Sequence, residues 1–176
     1  MKYCRLTFRY NDRISGSSYS EPQFKIGFPF GATRYSANKT IGVVLEQASI
    51  AVKEDDTKNN AYVSVAIKNA LPNNAMVSVD GNFQYDNVLG RVAFLTEDSS
   101  QGVNYYVLNN VYNDKQGNLL QFPVHIFNNQ LIQFKLTSND EEGIVAPTGG
   151  SGEAETRKYI IVLGLYYDDE DYHEQF

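Results

Sequence analysis

The chain of 176 residues has no tryptophan, only two histidines and a single cysteine. Cys4 cannot form a disulfide within the chain, and its place in the alternating stretch KYCRLTFRY predicts a small buried side chain. Two histidines and one cysteine without a short repeated spacing also fail to make a zinc site. We therefore expect neither a disulfide framework nor a metal centre, and a chain of this length can bury a core without either.

Long apolar runs and an excess of basic residues are missing too. No segment approaches the ~20 apolar residues of a membrane span, and the N-terminus has no apolar stretch of the kind found in secretion signals, so we expect a soluble protein. The chain has 15 Lys and Arg residues against 21 Asp and Glu residues, and its net charge is −6. Because an acidic chain repels phosphate backbones, we expect no direct contact with nucleic acid.

Aromatic residues are plentiful, with 13 tyrosines and 10 phenylalanines. Together with many asparagines, which tolerate positive φ, they are typical of strands joined by turns. No stretch of ten or more residues combines a 3.6-residue apolar period with helix caps. The sequence therefore predicts an all-β protein.

The first 40 residues are predicted to form a strand and an extended arm. Alternation in KYCRLTFRY, residues 2–10, indicates the strand, and a polar stretch then leads to QFKIGFPF. If this last segment is extended, its apolar side chains all point to one side and need a partner surface. We expect the arm to contact a neighbouring subunit through Phe24, Ile26, Phe28 and Phe30.

Regular turn signals divide residues 41–167 into eight strands. The strands are predicted at IGVVLEQASIAV, AYVSVAIKN, AMVSVD, GRVAFLTE, VNYYVLNN, LLQFPVHIF, QLIQFKLT and KYIIVLGLYY. Eight strands after an arm indicate an eight-stranded jelly-roll sandwich, in which two four-stranded sheets pack face to face. Its fourth and fifth strands form a hairpin, which fits the short loop DSSQG. Residues 168–176 remain as an acidic tail.

The step between the sixth and seventh strands, FPVHIFNNQLIQFKL, has two interpretations. A hairpin with a three-residue loop would pair Ile126 with Ile132 and Val124 with Phe134, which matches apolar side chains on one face. A jelly roll instead requires these strands to lie in opposite sheets, so that the Asn-Asn step becomes an arc between sheets. The sequence leaves both open.

Alternation also predicts which side chains of two strands face the core. In the second strand of the eight, the inward residues are Val63, Val65 and Ile67. In the last strand they are Ile160 and Val162, and the third inward position is filled either by Gly164 or by a larger side chain of the neighbouring strand.

No segment carries a convincing catalytic group. His125 is the only histidine in a predicted strand, and the sequence supplies no partner to orient it as a base, so we interpret it as a surface or interface residue. The loops NDKQGN, EDD and NDEE carry cation-binding oxygens, but charge runs are usually solvated faces. We assign no catalytic, cofactor-binding or metal-ligating residue, and no cofactor.

The apolar arm, the eight strands and the loop-rich surface together resemble the single jelly-roll capsid proteins of icosahedral viruses. In size and organisation the chain is similar to the penton (vertex) proteins of tailless, membrane-containing phages whose major capsid proteins are double jelly rolls. The resemblance implies a non-enzymatic structural protein, made in the host cytoplasm, that forms a homopentamer at a virion vertex. It also implies contacts with the major capsid capsomers and with a spike protein.

A second interpretation is a binding module that recognises carbohydrate or a receptor as part of a viral spike or an adhesin. Its ligand surface would consist of Tyr105, Tyr106 and Tyr112, with Tyr166 and Tyr167 as further candidates. The lack of tryptophan speaks against it, because large aromatic faces are the usual platform for such ligands. A third class, a chaperone for basic proteins, is suggested by the acidic tail DDEDYHEQF, although this tail is short for that role.

Overall fold

The structure is a computed structural model that describes residues 2–26, 40–54, 61–68, 76–79, 82–85, 88–109, 120–123, 131–138, 142–147 and 158–167. These residues form strands, with one 3-10 turn at Tyr10–Asp12 as their only helical segment. The strands are β1 (Lys2–Arg9), β2 (Gln23–Lys25), β3 (Thr40–Lys53), β4 (Tyr62–Ile67), β5 (Met76–Val79), β6 (Asn82–Tyr85), β7 (Val88–Asp98), β8 (Val103–Asn109), β9 (Leu120–Pro123), β10 (Leu131–Ser138) and β11 (Tyr159–Tyr167). The predicted all-β class is confirmed.

Eight of these strands follow one another in an antiparallel sheet in the order β1-β11-β3-β8-β7-β4-β10-β2, the short β9 adds to β3 beside them, and β5 and β6 pair separately. The sheet is nearly closed into a barrel-like sandwich, which confirms the predicted eight-stranded β-sandwich. It differs in detail from two separate four-stranded sheets. The 14-residue β3 pairs with β11 on one side and with β8 and β9 on the other, so the sheet is continuous through it.

The hairpin predicted for the fourth and fifth strands is β7–β8 in the structure, and it is confirmed. Its loop begins after Asp98, whose carbonyl accepts a hydrogen bond from the Gln101 amide at 3.1 Å. Gly102 ends the loop with φ +61°, a conformation that costs glycine little. The residues of the loop DSSQG, with glycine at the position of positive φ, therefore suit the turn that the loop adopts.

The core lies inside the curled sheet and joins its two ends. The ring of Phe8 on β1 lies 5.1 Å from that of Phe24 on β2 and 5.0 Å from that of Phe134 on β10. Phe24 and Phe134 are in turn 5.9 Å apart, and all three pairs meet edge to face. This geometry adds about 0.5–1.5 kcal/mol per pair to the area that the rings bury. The aromatic triad therefore holds β1 against β2 and β10.

A β-bulge at Glu46 divides β3 into two halves with opposite alternation. Val162 pairs with Gln47 and Leu163 pairs with Leu45, so Glu46 is an extra residue opposite β11. Before the bulge the side chains that belong to the core cluster stand at odd positions, Val43 and Leu45; after it they stand at even positions, Ala48, Ile50 and Val52. One extra residue is what allows both halves to face the same core.

The inward face predicted for β4 is confirmed, since Val63, Val65 and Ile67 are 1%, 0% and 0% exposed. The same strand also buries Ala66, which lies on its other face.

The inward face predicted for β11 is wrong. Ile161, Leu163 and Leu165 are fully buried in the core cluster, whereas Ile160 is 39% exposed. Val162 and Gly164 lie on the same outer side as Ile160, because side chains alternate along a strand. The run YIIVLGLYY is apolar at every position but one, so its alternation could not identify the core face.

The pairing partners of β10 count against the hairpin between the sixth and seventh strands. On one side Phe134 pairs with Ile67 of β4, and on the other Ile132 pairs with Phe24 of β2. β9 instead pairs with β3. Residues 124–130 lie outside the described residues, but the partners of β10 favour the crossing connection over the hairpin.

The N-terminal region is predicted as a strand and an extended arm, and only the strand is present in this form. β1 pairs with β11 over its whole length. The chain then folds back and joins the sheet through β2, and the amides of Phe134 and Leu136 donate to the carbonyls of Pro22 and Ser20 at 3.0 and 2.7 Å. Residues up to 26 therefore belong to the domain itself, while residues 27–39 and the tail 168–176 lie outside the described part.

Candidate interaction surfaces

The residues predicted to contact a neighbour through the arm are placed differently by the structure. Phe24 and Ile26 are only 2% and 8% exposed and belong to the protein's own core. Their apolar alternation is satisfied by β10, which pairs with β2 and covers it. Phe28 and Phe30 lie outside the described residues. We therefore revise the prediction for Phe24 and Ile26 from an interface between subunits to a core contact within one subunit.

The tyrosines predicted as a ligand surface do not form one in the described residues. Tyr106 is fully buried, and its ring meets that of Phe94 edge to face at 5.7 Å. Burial also raises the pKa of the Tyr106 hydroxyl. Tyr105 is half-buried on the opposite face of β8, because neighbouring residues of a strand point to opposite sides. Tyr112 and the side chains of Tyr166 and Tyr167 lie outside the described part.

The side chains that could take part in catalysis or bind a metal are few among the described residues. Cys4, which is predicted as a small buried side chain, is only partly buried and packs against the core. Burial raises the pKa of its thiol, which disfavours the reactive thiolate. His125 and His173 lie outside the described residues. Within those residues no group of three or more His, Cys, Asp or Glu side chains could hold a metal ion, and no helix could span a membrane.

A polar cluster on the outer face of the sheet was not predicted. Arg5 on β1 donates from Nε to Glu46 Oε2 at 2.7 Å and to the Tyr3 hydroxyl oxygen at 3.2 Å, and the Tyr3 hydroxyl donates to the Glu46 carboxylate. Burial and the hydrogen bond to Glu46 raise the pKa of Tyr3. The cluster joins β1 to the bulge of β3 across the strand that lies between them.

Gly164 of β11 makes room for this cluster. A Cβ atom at this position would lie 2.9 Å from Glu46 Cδ and 3.0 Å from Tyr3 Cε2, closer than side-chain atoms can approach without a shift. An isolated glycine inside an apolar strand is a known sign of close approach, so this signal was available in the sequence. The Glu46 bulge had a signal as well, since the apolar alternation breaks between Leu45 and Ala48.

A second cluster closes one end of the core. The rings of Tyr10, Tyr19 and Tyr159 lie 5.3–5.8 Å apart, with the Arg13 guanidinium 3.7 Å above the Tyr10 ring and Lys158 Nζ 4.7 Å from it. Such cation–π contacts stabilise partly buried positive groups. The cluster packs the loop between β1 and β2 onto the start of β11.

The hydroxyl groups of this cluster are in unlike environments. The Tyr19 hydroxyl is 2.5 Å from the Ala51 carbonyl and 2.8 Å from the Lys158 carbonyl, and it can donate to one of them. Within the described residues the buried Tyr159 hydroxyl has no hydrogen-bond partner. Burial raises the pKa of both groups above the ordinary tyrosine value.

Three apolar residues and one serine form a row across the outer face of the sheet. Ile160 pairs with Ser49, Ser49 with Val107, and Val107 with Ala93, so these four residues of four neighbouring strands lie side by side. Ile160 and Val107 are 39% and 37% exposed. We call this set the outer row. Phe94 and Leu95 of β7 are also exposed, at 44% and 62%, but Phe94 pairs with the buried Tyr106 and so lies on the face opposite the outer row.

Comparison of the sequence with models of known protein families, and with curated proteins, gives no match.

Proposed function

We propose that this chain is a non-enzymatic structural subunit of an icosahedral virion, in which five copies form the penton at a vertex. The observation that carries the proposal is the outer row, in which Ile160 and Val107 are partly exposed on one face of the sheet. Single apolar side chains are normal on a protein surface, but the outer row has apolar residues on three of its four neighbouring strands, an arrangement typical of a surface that another protein covers.

The architecture supports the same proposal. A compact β-sandwich whose strands are joined by loops leaves its outer face and its edges available for contacts with other subunits. A ring requires heterologous contacts, in which one surface of a subunit meets a different surface of the next. The neighbouring capsomers of the shell would cover further surface.

Substitutions in the outer row test the proposal. Val107→Asp and Ile160→Asp place a charge on side chains that are already partly exposed, so the isolated subunit should fold with little loss of stability. At a contact between subunits the same charge would be buried without a partner, which costs several kcal/mol. We expect both variants to melt like the wild type but to be missing from purified particles. Gln101→Asp, in the exposed β7–β8 loop, is the control and should be incorporated normally.

If the Asp variants enter particles as well as the control does, the outer row is not a contact between subunits. A glycan array offers the competing outcome. Specific binding that is lost in Tyr105→Ala would favour the binding module, in which Tyr105 remains available while Tyr106 is buried.

A further inference from the structure

β1 is a long edge strand. Among the described strands it pairs only with β11, and it stands at one end of the sheet path. About half of the backbone N–H and C=O groups of such a strand point away from its partner and can pair with another strand. We call the outward row of residues 4–9 the β1 edge. At the other end of the path, backbone bonds from Pro22 and Ser20 cover β10 beyond the short β2, so that end is less open.

The β1 edge is positively charged. β1 contains Lys2, Arg5 and Arg9 and no acidic residue, and Arg9 is exposed. Arg5 is already engaged by Glu46 at 2.7 Å, which leaves Arg9 as the main cation of this edge. Like charges on facing strands repel, so a second copy of β1 is a poor partner for this edge. An acidic strand is a good one.

The chain itself contains such a strand. The tail DDEDYHEQF, residues 168–176, carries five Asp and Glu residues and no Lys or Arg, a net charge of −5. The whole chain has a net charge of −6, so the remaining 167 residues carry only −6 − (−5) = −1. Five of the 6 net negative charges of the protein therefore lie in the segment that follows β11.

The place where the tail begins favours a neighbour's edge over its own. β11 ends at Tyr167, which pairs with Lys2 at the start of β1. To reach the β1 edge of the same chain, the tail would have to pass around the start of β1 and then run parallel to it. Every pairing of the main sheet is antiparallel, and parallel pairing is slightly less stable. The tail of a second copy has no such restriction.

We propose that the acidic tail of one copy of this chain adds as an antiparallel strand to the β1 edge of the next copy. In this orientation residues 171–176 pair with the six residues of the β1 edge, so Asp171 lies opposite Arg9. Residues 168–170, about 10 Å of extended chain, cross between the subunits and approach Arg9 from the donor's side. The donor and acceptor surfaces differ, so the contact is heterologous and can close a ring.

This proposal rests on the proposed self-association, because the contact would be one of the contacts between subunits. A peptide can nevertheless test it without an assembled particle. A labelled peptide of residues 168–176 is added to a chain that ends at residue 167 and keeps every described residue. We expect saturable binding that weakens as salt is raised, and slower amide exchange in residues 4–9. A peptide with Asn and Gln in place of its acids should bind about tenfold more weakly, because the attraction to Arg9 is lost.

Two full-length variants supply the second arm of the experiment. Arg9→Glu should weaken binding of the peptide about tenfold and abolish tail-dependent protection of β1. Lys53→Glu changes an exposed lysine at the far end of β3 and should have no effect beyond that of the net charge. A mixture of Arg9→Glu with the chain that ends at residue 167 should form a dimer, because one partner keeps the tail and the other keeps the edge.

Three results would overturn the proposal. The first is no binding of the peptide, or protection at residues outside the β1 edge. The second is equal binding by Arg9→Glu and Lys53→Glu. The third is tail-dependent protection of β1 in a monomer, independent of protein concentration, which would assign the edge to the chain's own tail. If the peptide binds as expected but the protein is found in no virion, the proposed function fails while the contact stands.

Discussion

Deletion of Glu46 is the sharpest test of how the sheet is built, because this residue is the bulge that reverses the alternation of β3. Without it, the two halves of the strand cannot both face the core. Either Val43 and Leu45, which are 0% and 2% exposed, or the buried residues of the second half must turn outward. Exposing the smaller set costs about 1.5–3 kcal/mol for each side chain, or roughly 3–6 kcal/mol together. Domains of this kind have a total stability of about 5–15 kcal/mol.

The assay is urea unfolding followed by circular dichroism, with Glu46→Ala as the matched control. The alanine variant keeps the extra residue and loses only the hydrogen bonds from Tyr3 and Arg5, which are exposed and screened by solvent. We expect the deletion to lower the free energy of unfolding far more than the substitution, and to approach complete loss of the folded state. Equal effects of the two changes would refute the role of the bulge in the register.

Further predictions concern the core and its hydroxyl groups. Phe134→Ala removes a fully buried ring that contacts Phe8 and Phe24, and should lower the free energy of unfolding by about 3–5 kcal/mol in the same assay. The control Leu131→Ala, at a 44% exposed position, should lower it by less than about 1 kcal/mol. Tyr19→Phe should lower the free energy of unfolding by about 1 kcal/mol, because the Tyr19 hydroxyl donates to a carbonyl. Tyr159→Phe should leave it nearly unchanged, because the Tyr159 hydroxyl has no partner among the described residues. A larger loss for Tyr159→Phe than for Tyr19→Phe would contradict this assignment. Burial raises the pKa of Tyr19 above its ordinary value of 10.0, so the neutral hydroxyl contributes its full stabilisation below pH 10 and loses it as the pH rises further. The melting temperature of Tyr19→Phe should therefore fall less steeply above pH 10 than that of the wild type. An equally steep fall in both proteins would count against the buried hydroxyl.

The fold class and several faces follow from period-two patterns, as in β4, where polar and apolar residues alternate strictly over the first positions. The pattern loses its information where both faces are apolar, and β11 is the clearest case. There the face is decided by neighbours that are distant in sequence: Phe8 pairs with Ile161, and Glu46 needs the space over Gly164. Neither contact has a local signature strong enough to identify the partner.

The candidate site residues illustrate the same limit. Phe24 and Ile26 have the pattern of an extended apolar segment, and this pattern is identical whether the segment covers its own domain or a neighbour. The choice is made by β10, more than 100 residues away in sequence. Tyr105 and Tyr106 are a different case, since two successive strand residues cannot both face solvent on one side, and the sequence alone could have excluded one of them.

The position of the chain in a virus particle tests the central claim most directly. Particles that contain this chain can be purified and reconstructed at a resolution that identifies its strands. The account predicts five copies around each five-fold axis, with the outer row covered by neighbouring protein. Density for this chain away from every five-fold axis, or its absence from all particles, would contradict the proposed function.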